Sequence, residues 1–588
     1  MFKLAHFLKP YKKEVILGPF FKLLEAIFEL MIPTLMALII DNGIKLGDKS
    51  YILKIGSIMI LMAIIGMGCA FTCQYYAAKA SQGFGTKIRK ALFQHIGTLS
   101  YSEIDTIGTS SLINRITNDV NQLQLAVAML IRLVIRAPFL CIGGLIMAMI
   151  LDFKLSIVII FLLPIFTFIL YLIMYKSVPL YKTVQKKLDN LAQTLRENLS
   201  GVRVVRAFAK IDYEKTRFEY SNKNLTEDMI KVGNISSLLN PATALITNFA
   251  VLAVIWYGGF RINIGEMTQG QVIAFINYIN LIVLALIVVA NLVIIFTRAS
   301  ASAARVNEIL EMEPSINDPS ISNDYISLKD SNNVVEFRNV SFYYKNSKEP
   351  TLKDISFNIK TGDVVGIVGV TGSGKSTLLN LIPRFYDTFK GTVLVNGIDV
   401  KEYPQEELRK KIGLVPQKSV LFSGTISENI RWGLENATVT EVQLAAEISQ
   451  ASDFIEDFPD KYNTVLSQGG VNLSGGQRQR IAIARALVGK PEILILDDSL
   501  SALDYSTDAA LRKSLKENIH NASIIIVSQR VSAVKNSDSI IVLDDGKIVG
   551  IGNHDSLMES CITYREIYLS QLDRKENTYG SPSFETTF

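Results

Sequence analysis

The 588-residue sequence has few residues that could form disulfides or bind metals, since it contains four cysteines and four histidines. Cys69, Cys73 and Cys141 stand in apolar runs, Cys561 lies near the C-terminus, and no histidine clusters with them. This pattern argues against a disulfide scaffold and against a metal centre. An excess of one charge is also missing, because 60 basic residues face 55 acidic ones and leave a net charge of +5. Such a balance argues against a nucleic-acid-binding protein.

Long apolar runs are abundant, but nearly all of them lie before about residue 300. Hydrophobic residues make up 49% of the sequence and the mean hydropathy is +0.28. These values are high for a soluble protein and low for one that lies wholly in lipid. A membrane half followed by a soluble half is therefore expected. Six stretches reach the roughly 20 apolar residues that span a bilayer, and they lie near residues 15–40, 54–80, 128–151, 154–176, 237–260 and 271–297.

The connectors between these spans predict their orientation. Those at about 81–127 and 177–236 are long and rich in Lys and Arg, which places them, and both termini, in the cytoplasm. Their polar but periodic sequences predict that the membrane helices continue well below the lipid. Within them, the segments IDTIGTSSLIN and AKIDYEKT are predicted to form short transverse helices that touch the soluble domain.

The composition changes after the sixth span. We expect an α-helical membrane domain over residues 1–311 and a linker rich in Pro, Ser, Asn and Asp over 312–333. Strands then alternate with helices, which predicts an α/β domain over 334–574. A tail over 575–588 completes the chain.

A phosphate-binding motif opens the soluble domain. The run from Gly369 to Thr377 fits G-x-x-x-x-G-K-[ST], follows the apolar strand VVGIV and precedes the helical TLLNLIPRF. Its glycines let backbone N–H groups point at phosphates, Lys375 reaches the β and γ oxygens, and Ser376 supplies a ligand to Mg²⁺. The residues predicted to bind ATP here are Gly369, Val370, Thr371, Gly372, Ser373, Gly374, Lys375, Ser376 and Thr377.

Further candidate residues lie before and after this loop. Tyr344 is a candidate to stack on adenine, with packing in the core as the alternative. Gln417 is expected to sense the γ-phosphate and Mg²⁺, and Asp497 ends the strand ILIL as the carboxylate on the magnesium side. The sequence LSGGQ opens a helix, so its Ser474 hydroxyl and backbone amides predict a second anion site. This signature contains Ser474, Gly475, Gly476 and Gln477.

This ordered set of motifs resembles the ATP-binding cassette (ABC) transporter family, and the six preceding helices resemble its exporter-type membrane domain. The resemblance covers nearly the whole chain. It implies an α/β P-loop nucleotide-binding domain and a dimer in which two cassettes pack head to tail. Each ATP then lies between the phosphate loop of one chain and the LSGGQ of the other, and the two transverse segments act as coupling helices.

Two positions depart from the family pattern, and they belong to the same site. The family's catalytic glutamate is Asp498 here, and its switch histidine is Gln529. Aspartate withdraws the carboxylate by about 1.5 Å, and a misplacement of about 1 Å can cost on the order of 100-fold in rate. Glutamine can hydrogen-bond a γ-phosphate but cannot carry a proton. The sequence thus predicts a site that binds ATP and hardly hydrolyses it.

Since LSGGQ is intact, the chain resembles the degenerate-site subunit of heterodimeric bacterial multidrug exporters. The stretches RLVIRAPFLCIGGLIMAMI and FTRASASAARVNEIL also look like that subfamily. The resemblance implies an ATP-hydrolysing translocase, in a bacterial cytoplasmic membrane, that exports amphipathic small molecules. Its partners are a second half-transporter, membrane lipid and the cargo, with no nucleic acid. A lipid or peptide exporter and an ATP-gated channel or sensor are the alternatives.

Charges in the spans are the clue to cargo. Lys22, Glu25 and Glu29 share one helical face at i, i+3 and i+7, and Arg132 and Arg136 lie at i, i+4. Because isolated charges are costly in lipid, these side chains should face one another or a watery cavity. One hypothesis is that Glu25 or Glu29 accepts cationic drugs; the alternative is a structural ion-pair network.

Overall fold

The computed structural model describes residues 2–319, 332–345, 347–519 and 522–579 and is built of two units. The first unit comprises Met1–Gly97 and Thr109–Met312, and the second comprises Thr98–Gly108 and Glu313–Phe588. Most of the predicted linker and the end of the predicted tail lie outside the described residues.

The chain up to residue 310 is almost entirely helical. Short 3-10 and π segments join its α-helices at Phe2–Tyr11, Ile39–Ile44, Arg115–Asp119 and Leu130–Val134. The α-helices are α1 (Lys12–Leu38), α2 (Lys49–Thr98), α3 (Tyr101–Ile107), α4 (Thr109–Asn114), α5 (Val120–Met129), α6 (Arg136–Leu151), α7 (Phe153–Ser200), α8 (Val202–Ala207), α9 (Ile211–Ser237), α10 (Leu239–Asn263) and α11 (Gln269–Leu310).

Six helical stretches within the described residues are long and apolar enough to cross a membrane. They are Lys3–Ile44, Lys49–Thr98, Thr109–Leu151, Phe153–Ser200, Ile211–Asn263 and Gln269–Leu310. Each contains one of the predicted spans, so the expected six-helix domain is confirmed. The second stretch has 50 residues, which at 1.5 Å per residue measures about 75 Å. Since the hydrocarbon core is about 30 Å thick, the helices extend well beyond the apolar segments.

The first predicted transverse segment overlaps a short helix that belongs to the second unit. Helix α3 begins with a capping box between Ser100 and Glu103 and ends at Gly108, whose φ is 81°. The ring of Tyr101 lies 4.6 Å from that of Phe385. These contacts seat α3 on the α/β domain.

The second transverse helix, predicted at AKIDYEKT, does not form as a separate element. Its residues span the turn after α8 and the first turns of the 27-residue α9, which begins at Ile211. Ala209 adopts a left-handed φ of 52°, which ends α8 and reverses the chain. A short helix is present just before the predicted segment, at Val202–Ala207.

The second unit is built on two main sheets. Its strands are β1 (Asn333–Phe342), β2 (Leu352–Lys360), β3 (Val364–Gly369), β4 (Lys390–Val395), β5 (Ile398–Asp399), β6 (Ile412–Val415), β7 (Gly424–Thr425), β8 (Val465–Leu466), β9 (Ile493–Asp497), β10 (Ser523–Ser528), β11 (Ser539–Asp544) and β12 (Lys547–Gly552). The antiparallel sheet has the order β2-β1-β4-β5 and the larger sheet has the order β12-β11-β3-β10-β9-β6. The strands from β11 to β6 are parallel.

Helices of the second unit connect these strands and cover the larger sheet. They are α12 (Lys375–Leu381), α13 (Gln405–Lys410), α14 (Ile426–Arg431), α15 (Val439–Ile448), α16 (Ser452–Glu456), α17 (Gly475–Val488), α18 (Tyr505–Asn518), α19 (Val531–Val534), α20 (His554–Ser560) and α21 (Ile562–Tyr579).

The central strands are buried on both faces, as their continuous apolar sequences predict. In β9, Ile493 and Ile495 pack in the core shared with the antiparallel sheet. Leu494 and Leu496 point the other way, into the core formed with the helices. Because both faces are covered, loops at the strand ends are where polar side chains become accessible.

A buried arginine joins three elements in the first unit. Arg261, on α10, has a side chain that is only 8% exposed and contacts both Asp152 and Glu266. Asp152 also caps α7 by accepting a hydrogen bond from the Leu155 N–H at 2.7 Å. Lys154 reaches the same Glu266 at 3.7 Å, but its side chain is 63% exposed.

We therefore expect Arg261→Met to lower the thermal unfolding midpoint of the purified protein by several degrees. Removing one partner of a buried ion pair leaves carboxylates uncompensated and costs about 3–5 kcal/mol. Lys154→Met removes an exposed cation from the same carboxylate and should cost about 1 kcal/mol or less. Equal shifts for the two variants, measured by thermal unfolding in detergent, would contradict this assignment.

Candidate functional site

The phosphate loop, Gln417, Asp497, Asp498 and Gln529 converge at one edge of the larger sheet. The neighbouring parallel strands β3, β10, β9 and β6 all end there, and ligands bind at the carboxyl ends of such strands. A cleft of about 340 Å³ opens at this edge, which is within the usual size of a small-molecule site. It is lined by Thr351, Thr371, Gly372, Gly374, Lys375, Ser376, Thr377, Gln417, Asp497, Asp498, Val527 and Gln529.

The loop after β3 needs glycine at two places for different reasons. A Cβ on Gly369 would lie 2.2 Å from the carbonyl oxygen of Leu543, so the loop can leave the sheet only without a side chain there. Gly374 has a φ of 97° and precedes the first residue of α12. This conformation turns the loop into the helix, whose N-terminal N–H groups then face the cleft.

Lys375 lies folded back into its own loop. Its Nζ donates hydrogen bonds to the carbonyl oxygens of Gly369 and Val370, both at 2.8 Å. Burial lowers the pKa of Lys375, and the carboxylates of Asp498 and Asp497 oppose that effect. The ammonium group is therefore held inside the loop, ready for stronger acceptors such as phosphate oxygens.

Two of the residues predicted to bind Mg²⁺ contact each other. The Ser376 hydroxyl donates to Asp497 Oδ1 at 3.2 Å. Burial raises the pKa of Asp497, and the neighbouring Asp498 adds to this effect. A hydroxyl, a carboxylate and the amide oxygen of Gln417 are the hard oxygen donors that Mg²⁺ prefers, so the residues fit that ion.

The two unusual residues of the sequence, Asp498 and Gln529, meet in this cleft. Asp498 Oδ2 accepts a hydrogen bond from the Gln417 side-chain amide at 3.3 Å. Gln529 Oε1 accepts from the Thr371 hydroxyl at 3.5 Å. Burial raises the pKa of Asp498 above its usual range, against the opposing effect of Lys375.

Asp498 also has a backbone feature that the sequence did not reveal. Its φ is +44°, a left-handed conformation, and its N–H donates to the carbonyl oxygen of Val527 at 2.9 Å. Aspartate and asparagine adopt this conformation more readily than most residues, because their short polar side chains tolerate it. The next residue, Ser499, is fully buried, and its hydroxyl has no hydrogen-bond partner among the described residues.

Tyr344 lies beside the loop and is not among the residues that line the cleft. Its hydroxyl is 3.0 Å from the Thr377 hydroxyl, and its ring packs edge to face against Phe342 and Tyr386. This arrangement corresponds to the core-packing alternative. Thr351 and Val527 also line the cleft but belong to no recognisable motif. Val527 is placed there by the position of β10 between β3 and β9, and Thr351 lies just before β2.

The signature residues lie outside this cleft. Ser474 caps α17: its hydroxyl accepts the Gln477 N–H at 3.2 Å, while Gln477 Oε1 accepts the Ser474 N–H at 2.9 Å. Ser474 and Gly475 are exposed, and a Cβ added to Gly475 would meet no atom within 4 Å. Within the described residues, the N-terminus of α17 is therefore open at the surface.

Four of the five charges that the sequence singles out in the spans form two ion pairs. Lys22 Nζ donates to both carboxylate oxygens of Glu25 at 2.7 Å, and Arg136 Nη2 donates to Glu29 at 2.6 Å. Both carboxylates that could have accepted a cationic drug therefore already have a cation. This pairing favours the structural interpretation of Glu25 and Glu29 over the drug-binding one.

Comparison with known proteins identifies both halves of the chain. Residues 15–286 match the family described as ABC transporter transmembrane region, and residues 352–501 match the family described as ABC transporter. An uncharacterized ABC transporter ATP-binding protein of Mycobacterium tuberculosis (strain H37Rv), Rv1273c, is 39% identical over 571 residues, which covers 97% of each chain. YgaD of Bacillus subtilis (strain 168), named for multidrug export as an ATP-binding/permease protein, is 33% identical and covers 97% of this chain and 99% of its own.

A solved structure shares the fold. A bacterial Atm1-family ABC exporter with ATP bound matches with a TM-score of 0.78, covering 95% of this chain and 98% of that one at 24% sequence identity. The six membrane-crossing stretches, the α/β domain with its phosphate loop and the two family matches agree with one another. The chain belongs to the ABC transporter family: it joins one transmembrane region to one ATP-hydrolysing domain, as a half-transporter does, and it has the fold of an ABC exporter.

Proposed function

We propose that this chain is the weakly hydrolysing half of a heterodimeric exporter of amphipathic small molecules. The observation that carries the proposal is the meeting of Asp498 and Gln529 in the cleft of the chain's own phosphate loop. Both residues that the family uses for hydrolysis are therefore altered in one and the same site. The intact signature, by contrast, lies outside that cleft.

The cleft retains what is needed to bind ATP and Mg²⁺. Lys375 and the N-terminus of α12 would hold the phosphates, and Ser376, Gln417 and Asp497 would hold the metal. Bound Mg²⁺ neutralises phosphate charge. Tyr344 remains a predicted adenine contact, although its ring packs with Phe342 and Tyr386.

The same geometry explains why hydrolysis should be slow. The Asp498 carboxylate is about 1.5 Å shorter in reach than that of glutamate and is held by the Gln417 amide. Gln529 has no proton to give at neutral pH, and its oxygen is engaged by Thr371. A base that is misplaced by about 1 Å can lose on the order of 100-fold in rate.

The proposal of a heterodimer rests on where the altered and the intact residues lie. Asp498 and Gln529 are in the cleft, and the intact LSGGQ is outside it. In a homodimer both composite sites would contain Asp498 and Gln529, and neither would hydrolyse ATP well. A partner with glutamate and histidine at these positions would form a competent site with the LSGGQ of this chain. The exposed Gly475 supports such a role, because no atom of the described residues would lie within 4 Å of a Cβ added there.

Small amphipathic molecules are the proposed cargo, moved outward across the cytoplasmic membrane of a bacterium. The names of relatives such as YgaD support drugs, although lipids and peptides remain alternatives. Both termini are proposed to be cytoplasmic, since the long connectors carry the excess of Lys and Arg. Uphill, vanadate-sensitive transport in proteoliposomes would distinguish an exporter from an ATP-gated channel, which cannot concentrate cargo.

Assembly provides the first test of the proposal. Expressed alone, the chain should show little ATPase activity; co-expressed with its partner half-transporter, it should co-purify near 1:1 and become active. Pull-down through a tag on this chain, followed by a phosphate-release assay, measures both properties. Robust hydrolysis by the isolated chain would refute the proposal and show that Asp498 suffices as a base.

In the proposed dimer, each ATP site combines the phosphate loop of one chain with the LSGGQ of the other. Variants of the purified heterodimer therefore provide a second test. Gly475→Asp introduces a negative charge next to the partner's ATP and should reduce ATPase turnover by an order of magnitude or more. Asp498→Asn changes only the impaired site and should leave most turnover intact.

Gly475→Ala is the matched control, since it adds the same Cβ in open space without the charge. It should remain near wild-type activity. If Asp498→Asn abolishes hydrolysis while Gly475→Asp is harmless, the two sites have been assigned in reverse.

A third test follows the nucleotide itself. After many turnovers and rapid desalting, the heterodimer should retain about one ATP per complex at this chain's phosphate loop, because its phosphate-binding residues are present while its base is weak. Chromatography of the released nucleotide measures the ratio of ATP to ADP. Lys375→Ala should lose the retained ATP, and equal, fast exchange at both sites would count against the proposal.

A further inference from the structure

The charges in the six predicted spans do not balance. The only acidic residues in these segments are Glu25 and Glu29, while the other five spans contain no Asp or Glu. Lys54, Lys79, Lys154 and Lys176 lie within two positions of a span's end and can extend to the interface. That leaves three cations at interior positions, Lys22, Arg132 and Arg136, against two carboxylates.

The contacts show which cation is left over. Glu25 is taken by Lys22 and Glu29 by Arg136. Among the described residues, Arg132 has no hydrogen bond within 3.5 Å and no ion pair within 4.0 Å. Its side chain is half-buried, and an uncompensated charge at such a position is costly. One positive charge therefore lacks a partner.

Arg136 adds a second unsatisfied donor close by. Its Nη2 meets Glu29, but its Nε is buried and has no partner among the described residues. Arg132 and Arg136 lie four residues apart, and Arg132 belongs to the π turn Leu130–Val134 that precedes α6. Single π turns occur often at functional sites.

An apolar pocket adjoins Arg136. A pocket of about 100 Å³ contains Glu29 and Arg136 at one side and is otherwise lined by apolar side chains. They include Leu133 and Leu140 on one side and Leu281, Leu284 and Val288 of α11 on the other. A volume of this size accepts a few carbon atoms of a larger molecule, not a whole drug.

We propose that Arg132, together with the unpaired Nε of Arg136, binds the anionic head of an amphipathic molecule whose apolar part packs against α6 and α11. A carboxylate, sulfonate or phosphate would supply the missing charge and acceptor oxygens. The head belongs either to exported cargo or to an anionic lipid of the membrane. Where the anion is cargo, this inference rests on the proposed export function. The cargo would then be anionic, whereas the hypothesis that Glu25 or Glu29 accepts a drug requires a cationic cargo.

A pair of fluorescent probes tests the role of charge. Anilinonaphthalene sulfonate and phenylnaphthylamine share their rings, and only the first carries a sulfonate. In the complete transporter, reconstituted in phosphatidylcholine nanodiscs, Arg132→Gln should weaken binding of the sulfonate probe about tenfold, as expected for one charge-assisted hydrogen bond. Binding of the neutral probe should change less than about twofold.

Two further variants serve as controls. Lys176→Gln removes the same charge from an exposed position at the end of another span and should leave both probes unaffected. Arg132→Lys retains the charge and should keep most of the sulfonate affinity. If Arg132→Gln weakens both probes equally, or neither, the inference is overturned. It is also overturned if Arg132→Gln prevents assembly with the partner while Arg132→Lys binds both probes like wild type. The positive charge would then pair with the partner chain and not with a ligand.

The lipid composition distinguishes the two sources of the anion. If a lipid head occupies the site, adding phosphatidylglycerol should weaken the sulfonate probe in the wild type but not in Arg132→Gln. If cargo occupies it, the lipid should have no effect, and ATP-driven uptake of the sulfonate probe into inside-out vesicles should fall in Arg132→Gln. If the lipid has no effect and binding depends on Arg132, but no ATP-driven uptake follows, the site stands and the proposed export is refuted. If both probes are taken up and Arg132→Gln changes neither uptake, the proposed export stands and the proposed site is refuted.

Discussion

Parallel strands buried on both faces impose one constraint on the α/β domain: their polar residues become accessible only where the strands end. β3, β10, β9 and β6 are hydrogen-bonded neighbours, so their carboxyl ends lie at one edge. In this register Val527 of β10 pairs with both Ile367 and Asp497. The phosphate loop, both aspartates, Gln417 and Gln529 enter one cleft for this reason, although they are up to 160 residues apart in the chain.

A different constraint governs the membrane half, where lipid offers no water to a charged group. Interior carboxylates are paired, and Arg261 at a helix end contacts two acids at once. Against this background, an arginine without an acid is informative. Arg132 differs from the other interior cations because the described contacts contain no counter-charge for it, which is why it points to a ligand.

The two departures from the family pattern lie in one site. Asp498 and Gln529 could have belonged to unrelated surfaces, yet each lines the same cleft and each is held by a neighbouring polar side chain. The signature, in contrast, is exposed and capped by its own Ser474 and Gln477. This arrangement supports the proposal that the chain completes the site of a partner.

The sequence by itself determined the features that are local along the chain. Twenty apolar residues in a row define a span, and the glycines and lysine of the phosphate loop define a turn, whatever lies around them. Tertiary packing decided the rest. It turned Tyr344 toward Phe342 and Tyr386, gave Asp498 its left-handed backbone, and left the second transverse helix unformed. It also paired Glu25 with Lys22 and Glu29 with Arg136 while leaving Arg132 without an acid. Several of these outcomes depend on contacts between residues far apart in the chain, such as Glu29 with Arg136, and no local pattern encodes such contacts.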